Sequence, residues 1–515
     1  MENRHGRFIR QLVKEILLTT INAKWIHPSL ALRLLKANLG PLEETCEIIE
    51  FNLRQPLAEK VEPLLAARPL ILGISVSIWN HSATLELLAE LEKAWAANSG
   101  LCGTRPVIVL GGPEVSHLPQ SPAEAEIFRF ADFVIRGEGE TAFRTLCEEI
   151  LAQERPPTLS RQSPPQFIEA APADLEKIKS GYRLYTDEDL ANKLVYVEAS
   201  RGCPFNCEFC LSAVKNAQEC CAGAAAVREF PLEPFLVQMD ALLSRASALG
   251  ASQNMAHSAA QKSLTFKFLD RTFNLNINRA RKICEFFLEK LAQGKKLVVH
   301  FEMVPSLFPG ELLETLSRFP PGTLRLEIGI QTLNAEVSAR IGRPSNPGKE
   351  LEALRLLREK TGAIIHADLI AGLPGESMES FGEGFDRLWL ALYGAKSSDT
   401  GETCGAEIQP GILKLLPGAP IARHSETFAM RYNPAPPYEV LETSAIKSGD
   451  LARIKNFGRF WELVVNRGLV KFAQNEPVFE KFMALSDFLL AKFGKNWGID
   501  RSELNETVKG FLGRC

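Results

Sequence analysis

The chain has 515 residues, more than one hydrophobic core usually organises, so two or three domains are expected. It is 45% hydrophobic and 23% charged with a formal net charge of −3, which excludes the strongly basic surface typical of nucleic-acid binding. No apolar run reaches the ~18 residues of a transmembrane helix, and the N-terminal residues show no apolar signal-peptide segment, so no membrane span is predicted.

Residues 1–155 alternate short apolar strands with helical segments. The predicted strands are 15–21, 46–52, 70–77, 106–112 and 133–137. Strands that are apolar throughout and separated by helices predict a parallel sheet covered on both faces. We therefore predict an α/β protein whose first domain is flavodoxin-like (Rossmann-like) and doubly wound. Such folds bind ligands at the carboxyl ends of their strands.

A linker is predicted at 156–190, because the stretch 152–167, which overlaps its start, is rich in proline and polar residues. A second series of strands and helices follows at 191–416. Its predicted strands are 194–200, 264–270, 297–303, 324–330, 363–370 and 406–416. Six such units predict a partial TIM-like (β/α)6 barrel.

The remaining parts of the chain depart from this regular alternation. Residues 417–515 begin with loop-forming composition and become mainly helical, as in 478–494. The stretches 216–227 and 246–263 are rich in small residues and are predicted to be loop insertions.

Three cysteines, Cys203, Cys207 and Cys210, follow the first predicted barrel strand with the spacing C-x3-C-x2-C. Three thiolates can hold three irons of a 4Fe-4S cluster and leave the fourth iron open to an external ligand. The alternative is a structural zinc site completed by a distant ligand, such as Cys220 or Cys221. The whole chain has 11 cysteines, an odd number spread thinly, which suits a reducing cytoplasm.

The three cysteines, with Phe209 directly before the last, resemble the motif of the radical S-adenosylmethionine (radical SAM) superfamily. The resemblance implies that the open iron chelates the amino and carboxylate groups of SAM. Reductive cleavage would then give a 5′-deoxyadenosyl radical that abstracts hydrogen from a substrate. It also implies an electron donor such as flavodoxin or ferredoxin.

Four segments at strand ends are similar to segments of cobalamin-linked radical SAM proteins: 269–274, 301–306, 327–334 and 371–377. The usual motif of two glycines and a glutamate is replaced by LDRTFN. The SAM-binding residues that the resemblance implies are Phe209, Asp270, Arg271, Glu302, Glu327, Gln331, Gly372, Leu373 and Pro374.

Alternation along three barrel strands gives an independent argument from the residues. The polar positions that share a face are His300 with Glu302, Arg325 with Glu327 and Gln331, and His366 with Asp368. Helices should cover the apolar faces, so the polar faces point into the barrel and form a cavity for polar ligands. Buried ion pairs, such as Arg325 with Glu327 or Glu302, are the alternative. No catalytic residue is assigned; the two histidines are expected to be satisfied core residues.

The strand ends of the first domain, followed by this barrel, resemble the cobalamin-binding domain of the same enzymes. The implied cobalamin-binding residues are Ser75, Ser77, Trp79, Asn80, Gly111, Gly112, Pro113, Glu114, Gly137 and Glu138. The D-x-H-x-x-G motif is absent, and His27 has the wrong spacing for it. Cobalamin would therefore bind without a protein histidine on cobalt. Ordinary turn glycines, and a domain that binds no corrinoid, are the alternatives.

The resemblance implies cobalamin-dependent methylation of an unactivated carbon. Radical cyclisation or rearrangement without methyl transfer is the first alternative. An RNA-modifying radical SAM enzyme fits the pI of about 6.3 poorly. A non-catalytic metal-binding module is the last alternative. The substrate class stays open between a small molecule, a lipid and a peptide, with no nucleic acid expected.

Overall fold

The structure is a computed structural model, which describes residues 15–97, 105–120, 125–153, 164–213, 227–252, 263–343, 345–394, 405–470, 472–473 and 475–513. The chain divides into two compact units. The first comprises Met1–Val197 and Glu233–Ala259, and the second comprises Glu198–Leu232 and Ala260–Cys515. Within the described ranges, no helix combines the length and apolar composition needed to cross a membrane.

A parallel six-stranded sheet forms the centre of the first unit. Its strands in chain order are Ile16–Asn22, Cys46–Asn52, Ile71–Ser75, Val107–Gly111, Phe133–Arg136 and Gln166–Glu169. Their spatial order is second, first, third, fourth, fifth and sixth. This is the flavodoxin-like order with one additional edge strand, so the predicted fold class is confirmed.

Helices cover both faces of this sheet because alternate strand residues enter two different cores. Leu17 and Leu72 belong to one core with Leu88, whereas Leu18 and Ile71 belong to the other. The connecting helices are Leu30–Ala37, Leu57–Ala67, His81–Ala97 and Gly139–Leu151. Strand residues that are apolar on both faces are therefore explained by burial on both faces.

The segment predicted as a linker contains regular structure. Gln166–Glu169 pairs in parallel with the fifth strand, and Asp187–Asn192 is a short helix with a capping box at Thr186. The Asp189 carboxylate accepts a hydrogen bond of 2.8 Å from the buried guanidinium of Arg33. This part of the chain is thereby packed into the first unit.

Parallel strands in chain order form the sheet of the second unit. They are Leu264–Phe268, Leu297–Met303, Leu324–Gln331, Ile364–Ala371 and Ala406–Ile412. The first predicted barrel strand is Val195–Val197, which is the edge strand of this sheet and brings its strands to the predicted six. Helices of the second unit alternate with these strands: Ile277–Ala292, Gly310–Ser317, Ala335–Arg340, Pro347–Lys360 and Met378–Tyr393.

Side chains on these strands alternate as predicted. In Leu324–Gln331 the residues Leu324, Leu326, Ile328 and Ile330 are fully buried, and the intervening residues are more exposed. The apolar residues pack under the helices, so the polar residues line the opposite, inner face of the sheet.

After the last barrel strand the chain is mainly helical, as predicted. The helices are Ser448–Trp461, Phe479–Phe493 and Arg501–Leu512, with a π-helical turn at Glu462–Asn466. Trp461 packs edge-on against Phe385 of a barrel helix, with ring centroids 4.8 Å apart. This contact fastens the C-terminal helices to the second unit.

The two predicted insertions lie mostly outside the described residues. Residues 216–226 and 253–262 are not described, and neither are Cys220 and Cys221. The prediction of a loop from residue 246 was wrong at its start, because the helix Leu232–Ser252 continues through it. Alanine and leucine are strong helix formers, and they outweigh the small-residue composition there.

Candidate functional site

The three cysteines occupy an irregular loop of the second unit. Cys203, Cys207 and Cys210 all carry free thiols, with Cys207 buried and the other two partly exposed. The Cys210 amide donates to the Cys207 carbonyl at 2.9 Å, which closes the turn between the second and third cysteine. The Cys203 thiol lies 3.7 Å from the hydroxyl of Thr272.

A guanidinium group lies beside the buried thiol. The Nη1 atom of Arg343 is 4.0 Å from the Sγ atom of Cys207, and the same side chain donates to the Gly329 carbonyl. Burial raises the pKa of the Cys207 thiol, and the Arg343 charge acts against that increase. The cation therefore favours a thiolate at a site where burial alone would oppose one.

The residue that follows Cys207 is held by the segment after the barrel. Both carboxylate oxygens of Glu208 are engaged, by Arg423 at 2.6 Å and by His424 Nε2 at 2.9 Å. Burial disfavours the ionised form of Glu208, but these two partners outweigh it and lower the pKa. Nothing in the sequence indicated this contact, because its members are 216 residues apart.

Asp270, predicted to bind SAM, anchors the chain just before the cysteine loop. Its carboxylate accepts from the Ala199 amide at 2.9 Å and from the Ser200 hydroxyl at 2.6 Å. Asp270 is 2% exposed, and burial raises its pKa to about 6 despite these two donors. The neighbouring Arg271 is exposed.

An ion network lines the inner face of the barrel sheet. Glu327 lies 2.9 Å from the ammonium of Lys267 and 3.1 Å from Nε2 of His300. The nearby His300 imidazole makes the largest contribution that lowers the pKa of Glu327, to about 2. An ion pair, the alternative to a polar cavity, is present on this face, but Lys267 and not the exposed Arg325 is the partner of Glu327, and both members are part-buried.

Two carboxyl groups on this face carry raised pKa values. Burial raises the pKa of Asp368 to about 8, with Glu327 and Glu302 adding to the effect. Burial also raises the pKa of Glu302 to about 6, against the attraction of Arg271. Glu302 and Glu327 are register partners on adjacent strands, so two predicted SAM-binding residues are brought together.

The GLPGE turn after the next strand is tightly packed. Gly372 has a φ of +86°, and a Cβ atom there would lie 2.5 Å from the Val440 side chain, so only glycine fits. Leu373 and Pro374 are buried, and the Pro374 carbonyl accepts from Arg340 at 2.6 Å. The turn is therefore rigid, as a backbone platform for a ligand requires.

Gln331 and Phe209 complete the predicted SAM set. Gln331 ends its strand with a φ of +68°, an uncommon backbone conformation for a residue other than glycine. Such strain is often found at binding sites. Phe209 is partly exposed within the cysteine loop.

In the first unit, Asn80 hydrogen-bonds to the ends of the strands where cobalamin is predicted to bind. Its side-chain amide donates to the Ile21 carbonyl at 3.0 Å and to the Ser75 carbonyl at 3.3 Å. Its oxygen accepts from the Ser77 amide at 2.8 Å. Asn80 is 0% exposed, so its amide is committed to holding the ends of adjacent strands.

Most of the remaining predicted cobalamin-binding residues lie at the ends of strands or in turns, and one, Trp79, has an exposed ring. Gly112 has a φ of +104°, and the buried Glu114 pairs with His81 at 2.8 Å. Gly137 also has a positive φ, and Glu138 accepts from the Ala173 amide. The remaining turn positions are Gly111 and Pro113.

Trp79 is 52% exposed in the loop after the third strand, whose carboxyl end the prediction assigns to cobalamin. His27, by contrast, lies in a loop before a helix, and its Nδ1 atom is 2.8 Å from the hydroxyl of Tyr196.

The cysteine loop offers three thiol ligands to an iron–sulfur cluster. Among residues with described positions, no three His, Cys, Asp or Glu side chains converge on a point that could hold one ion. A cubane takes one thiolate per iron, so its cysteines do not need to converge. The free thiols are suitable ligands for the irons of such a cluster, and the nearby Arg343 cation favours the ionised form of the Cys207 thiol.

Comparison with known proteins identifies one domain within the chain. Residues 197–388 match the radical SAM superfamily. A 2-(S-pantetheinyl)-carbapenam-3-carboxylate methyltransferase of Streptantibioticus cattleyicolor is 28% identical over 182 residues, 31% of this chain. That alignment covers only 25% of the relative's own length.

Two solved structures share the architecture of most of the chain. One is the radical SAM methyltransferase TsrM from Kitasatospora setae, with tryptophan and a SAM analogue bound. Its TM-score is 0.57 and its sequence identity is 17%, and the match covers 85% of this chain and 81% of TsrM. OxsB, a cobalamin-dependent SAM radical enzyme with aqua-cobalamin and SAM bound, has a TM-score of 0.61 and 14% identity, covering 97% of this chain and 79% of OxsB. Residues 197–388 therefore form a radical SAM domain, and most of the chain shares its fold with TsrM and OxsB.

Proposed function

We propose that this protein reductively cleaves SAM and uses cobalamin to methylate an unactivated carbon of its substrate. The observation that carries the proposal is the set of three free thiols in one loop of a radical SAM domain. The carbapenam methyltransferase and TsrM, both methyltransferases by name, support methyl transfer as the outcome.

In this proposal Cys203, Cys207 and Cys210 each hold one iron. A cluster bound there supplies the electron that cleaves SAM. Arg343 stabilises the thiolate of Cys207, since its charge offsets the cost of burial. Glu302 and Glu327 present carboxylates side by side on the inner face, where they would orient the methionine and ribose portions of SAM.

The first unit would bind cobalamin at the carboxyl ends of its strands. A doubly wound sheet binds ligands there, and the indole of Trp79 offers an apolar face to a large planar ring. We expect no protein histidine on cobalt, because His27 is bonded to Tyr196 and His81 to Glu114.

Anaerobic reconstitution with iron and sulfide tests the cluster. The wild type should hold about four irons and four sulfides per chain. Cys203→Ala, Cys207→Ala and Cys210→Ala should each lose the cluster and form no 5′-deoxyadenosine from SAM. The matched control is Cys284→Ala, which removes a fully buried thiol of a helix and should retain both properties. One zinc per chain in the wild type would contradict the proposal.

Methyl-labelled SAM tests the outcome of the reaction. Label recovered on a product carbon, dependent on added cobalamin, supports methyl transfer. The second candidate function is cyclisation or rearrangement without methyl transfer, because OxsB is named as a cobalamin-dependent radical enzyme and not as a methyltransferase. Product formation that leaves the label on methionine would support that second function.

We further propose a cytoplasmic setting and an electron donor such as flavodoxin or ferredoxin. The odd number of cysteines and the need for free thiols support a reducing compartment. The substrate would be a small molecule, a lipid or a peptide. The net charge of −3 gives little support for an RNA substrate.

A further inference from the structure

A short segment after the barrel reaches back to the cysteine loop. Pro420–His424 forms a single turn of 3-10 helix, and we call these residues the clamp segment. The Ile421 amide donates to the Glu208 carbonyl at 3.0 Å. The side chains of Arg423 and His424 bind the Glu208 carboxylate. All of these residues lie beyond position 388, where the radical SAM match ends, except Glu208.

Glu208 is fixed through its backbone as well as its side chain. Its amide donates to the Ile341 carbonyl at 3.0 Å, so both of its backbone polar groups are bonded to other segments. Gly342 adds a steric constraint, because a Cβ atom there would lie 2.9 Å from the Asn206 carbonyl oxygen. The loop between the cysteines is thus enclosed on two sides.

The two side-chain partners of Glu208 differ in their surroundings. His424 is 10% exposed at its side chain, whereas Arg423 is 63% exposed. A charge-assisted hydrogen bond sheltered from water is stronger than an ion pair that solvent screens. His424 should therefore contribute more to holding the loop than Arg423.

We infer that Glu208 and His424 are positioning residues that hold Cys207 and Cys210 in place for the cluster, so the clamp segment is part of the cofactor site. The inference rests on the proposed function, since it assumes that these cysteines hold iron. Neither residue is assigned contact with SAM or substrate. Preformed ligand geometry lowers the entropic cost of assembling a cluster, and outer-sphere contacts supply that geometry.

Alkylation of the metal-free, full-length protein tests the positioning directly. Iodoacetamide modification of Cys207 and Cys210 is followed by peptide mass spectrometry, with the buried Cys284 as an internal standard. Loss of a sheltered hydrogen bond to a charged group should raise the rate about tenfold in Glu208→Ala and His424→Ala. Arg423→Ala should raise it about twofold, because its ion pair is exposed.

Two further variants serve as controls. Glu442→Ala removes an exposed ion pair with Arg431 in the same C-terminal region and should leave the alkylation rate unchanged. Glu208→Gln, which keeps one acceptor for His424, should restore part of the protection. After reconstitution, Glu208→Ala should also lose iron to a chelator faster than Glu442→Ala, at an unchanged melting temperature.

The outcomes separate this inference from the proposed function. Wild-type protein that holds a cluster, together with variants that react at the wild-type rate, would overturn the positioning role alone. Wild-type protein that takes up no iron would overturn the proposed function.

Discussion

The imidazole rings of His300 and His366 are stacked inside the barrel sheet, with centroids 5.6 Å apart and planes 21° apart. They come from two strands that flank the strand of Glu327. Each ring also lies near a carboxylate, Glu327 for His300 and Glu407 for His366. This stack connects the two ion pairs across the inner face of the sheet.

The stack predicts an effect of pH on stability through His300. Burial lowers the pKa of His300 below its ordinary value of 6.5, and the charges of Lys267 and His366 act in the same direction. Below pH 6.5 the unfolded chain binds a proton that the folded protein does not, so stability falls as pH decreases. His300→Gln should lose less melting temperature between pH 6.5 and 5 than the wild type. An equal loss measured by calorimetry would contradict this prediction.

Asp368 predicts the opposite dependence on pH. Its pKa is raised to about 8, so between its unfolded value of 3.8 and pH 8 the folded state keeps a proton that the unfolded state releases. Stability should therefore fall as pH rises through this window, by at most about 1.4 kcal/mol per pH unit. Asp368→Asn should show a smaller decline between pH 5 and 8 in SAM-free protein. Parallel curves of melting temperature would show that Asp368 ionises normally.

The buried carboxyl of Glu376 makes its neighbour Thr332 important for stability. The Thr332 hydroxyl donates to Glu376, whose other oxygen lacks a hydrogen-bond partner within the described part of the chain. Thr332→Val should cost about 1–3 kcal/mol of unfolding free energy, because a buried acceptor loses its donor. The control is Thr323→Val, whose hydroxyl bonds an exposed turn carbonyl. Equal stability of the two variants by urea denaturation would refute the prediction.

The role of Asp270 can be determined by measuring both the iron content and the SAM affinity of a variant. As an anchor for Ala199 and Ser200, it should affect the cysteine loop that follows them. Asp270→Ala should therefore lower iron content per chain as well as SAM affinity. A residue that only bound SAM would leave iron content unchanged. Ser200→Ala, which removes one of the two donors, should give a smaller decrease in iron.

Trp79 offers a test of the cobalamin edge in the first unit. Trp79→Ala should weaken cobalamin binding about tenfold, since an exposed aromatic ring at a binding edge contributes mainly through its contact with the ligand. The control is Trp497→Ala, which removes a ring that is 68% exposed in the second unit. Equilibrium dialysis measures the cobalamin affinity of both variants. Unchanged affinity in Trp79→Ala would place cobalamin elsewhere in the protein.

Much of the fold could be predicted from sequence because the sheets leave strong local patterns. Cys46–Asn52 and Leu297–Met303 have the predicted bounds, since continuous or alternating apolar residues mark buried strands. The edge strand Gln166–Glu169 was missed, because its four residues are partly or fully exposed and carry little apolar signal. Composition around it indicated a linker instead.

The site was predictable where a motif is contiguous and unpredictable where its parts are distant. The cysteine spacing identified the loop directly. The partners of Glu208 and the approach of Arg343 to Cys207 depend on segments more than 130 residues away. Likewise, the sequence placed Glu327 on the inner face and suggested Arg325 as its ion-pair partner, whereas the partner in the structure is Lys267. Such choices depend on register between strands, which one sequence does not specify.

The helix Leu232–Ser252 has a practical consequence for dissecting this protein. It follows the cysteine loop in sequence, yet its Arg245 binds the Asp187 carboxylate at 2.8 Å and it belongs to the first unit. A fragment that ends at residue 197 would lack this helix and expose the ring of Tyr182, which packs against Phe235 of the helix. Expression of the first unit by itself therefore calls for a circularly permuted or grafted version that returns the helix to its place.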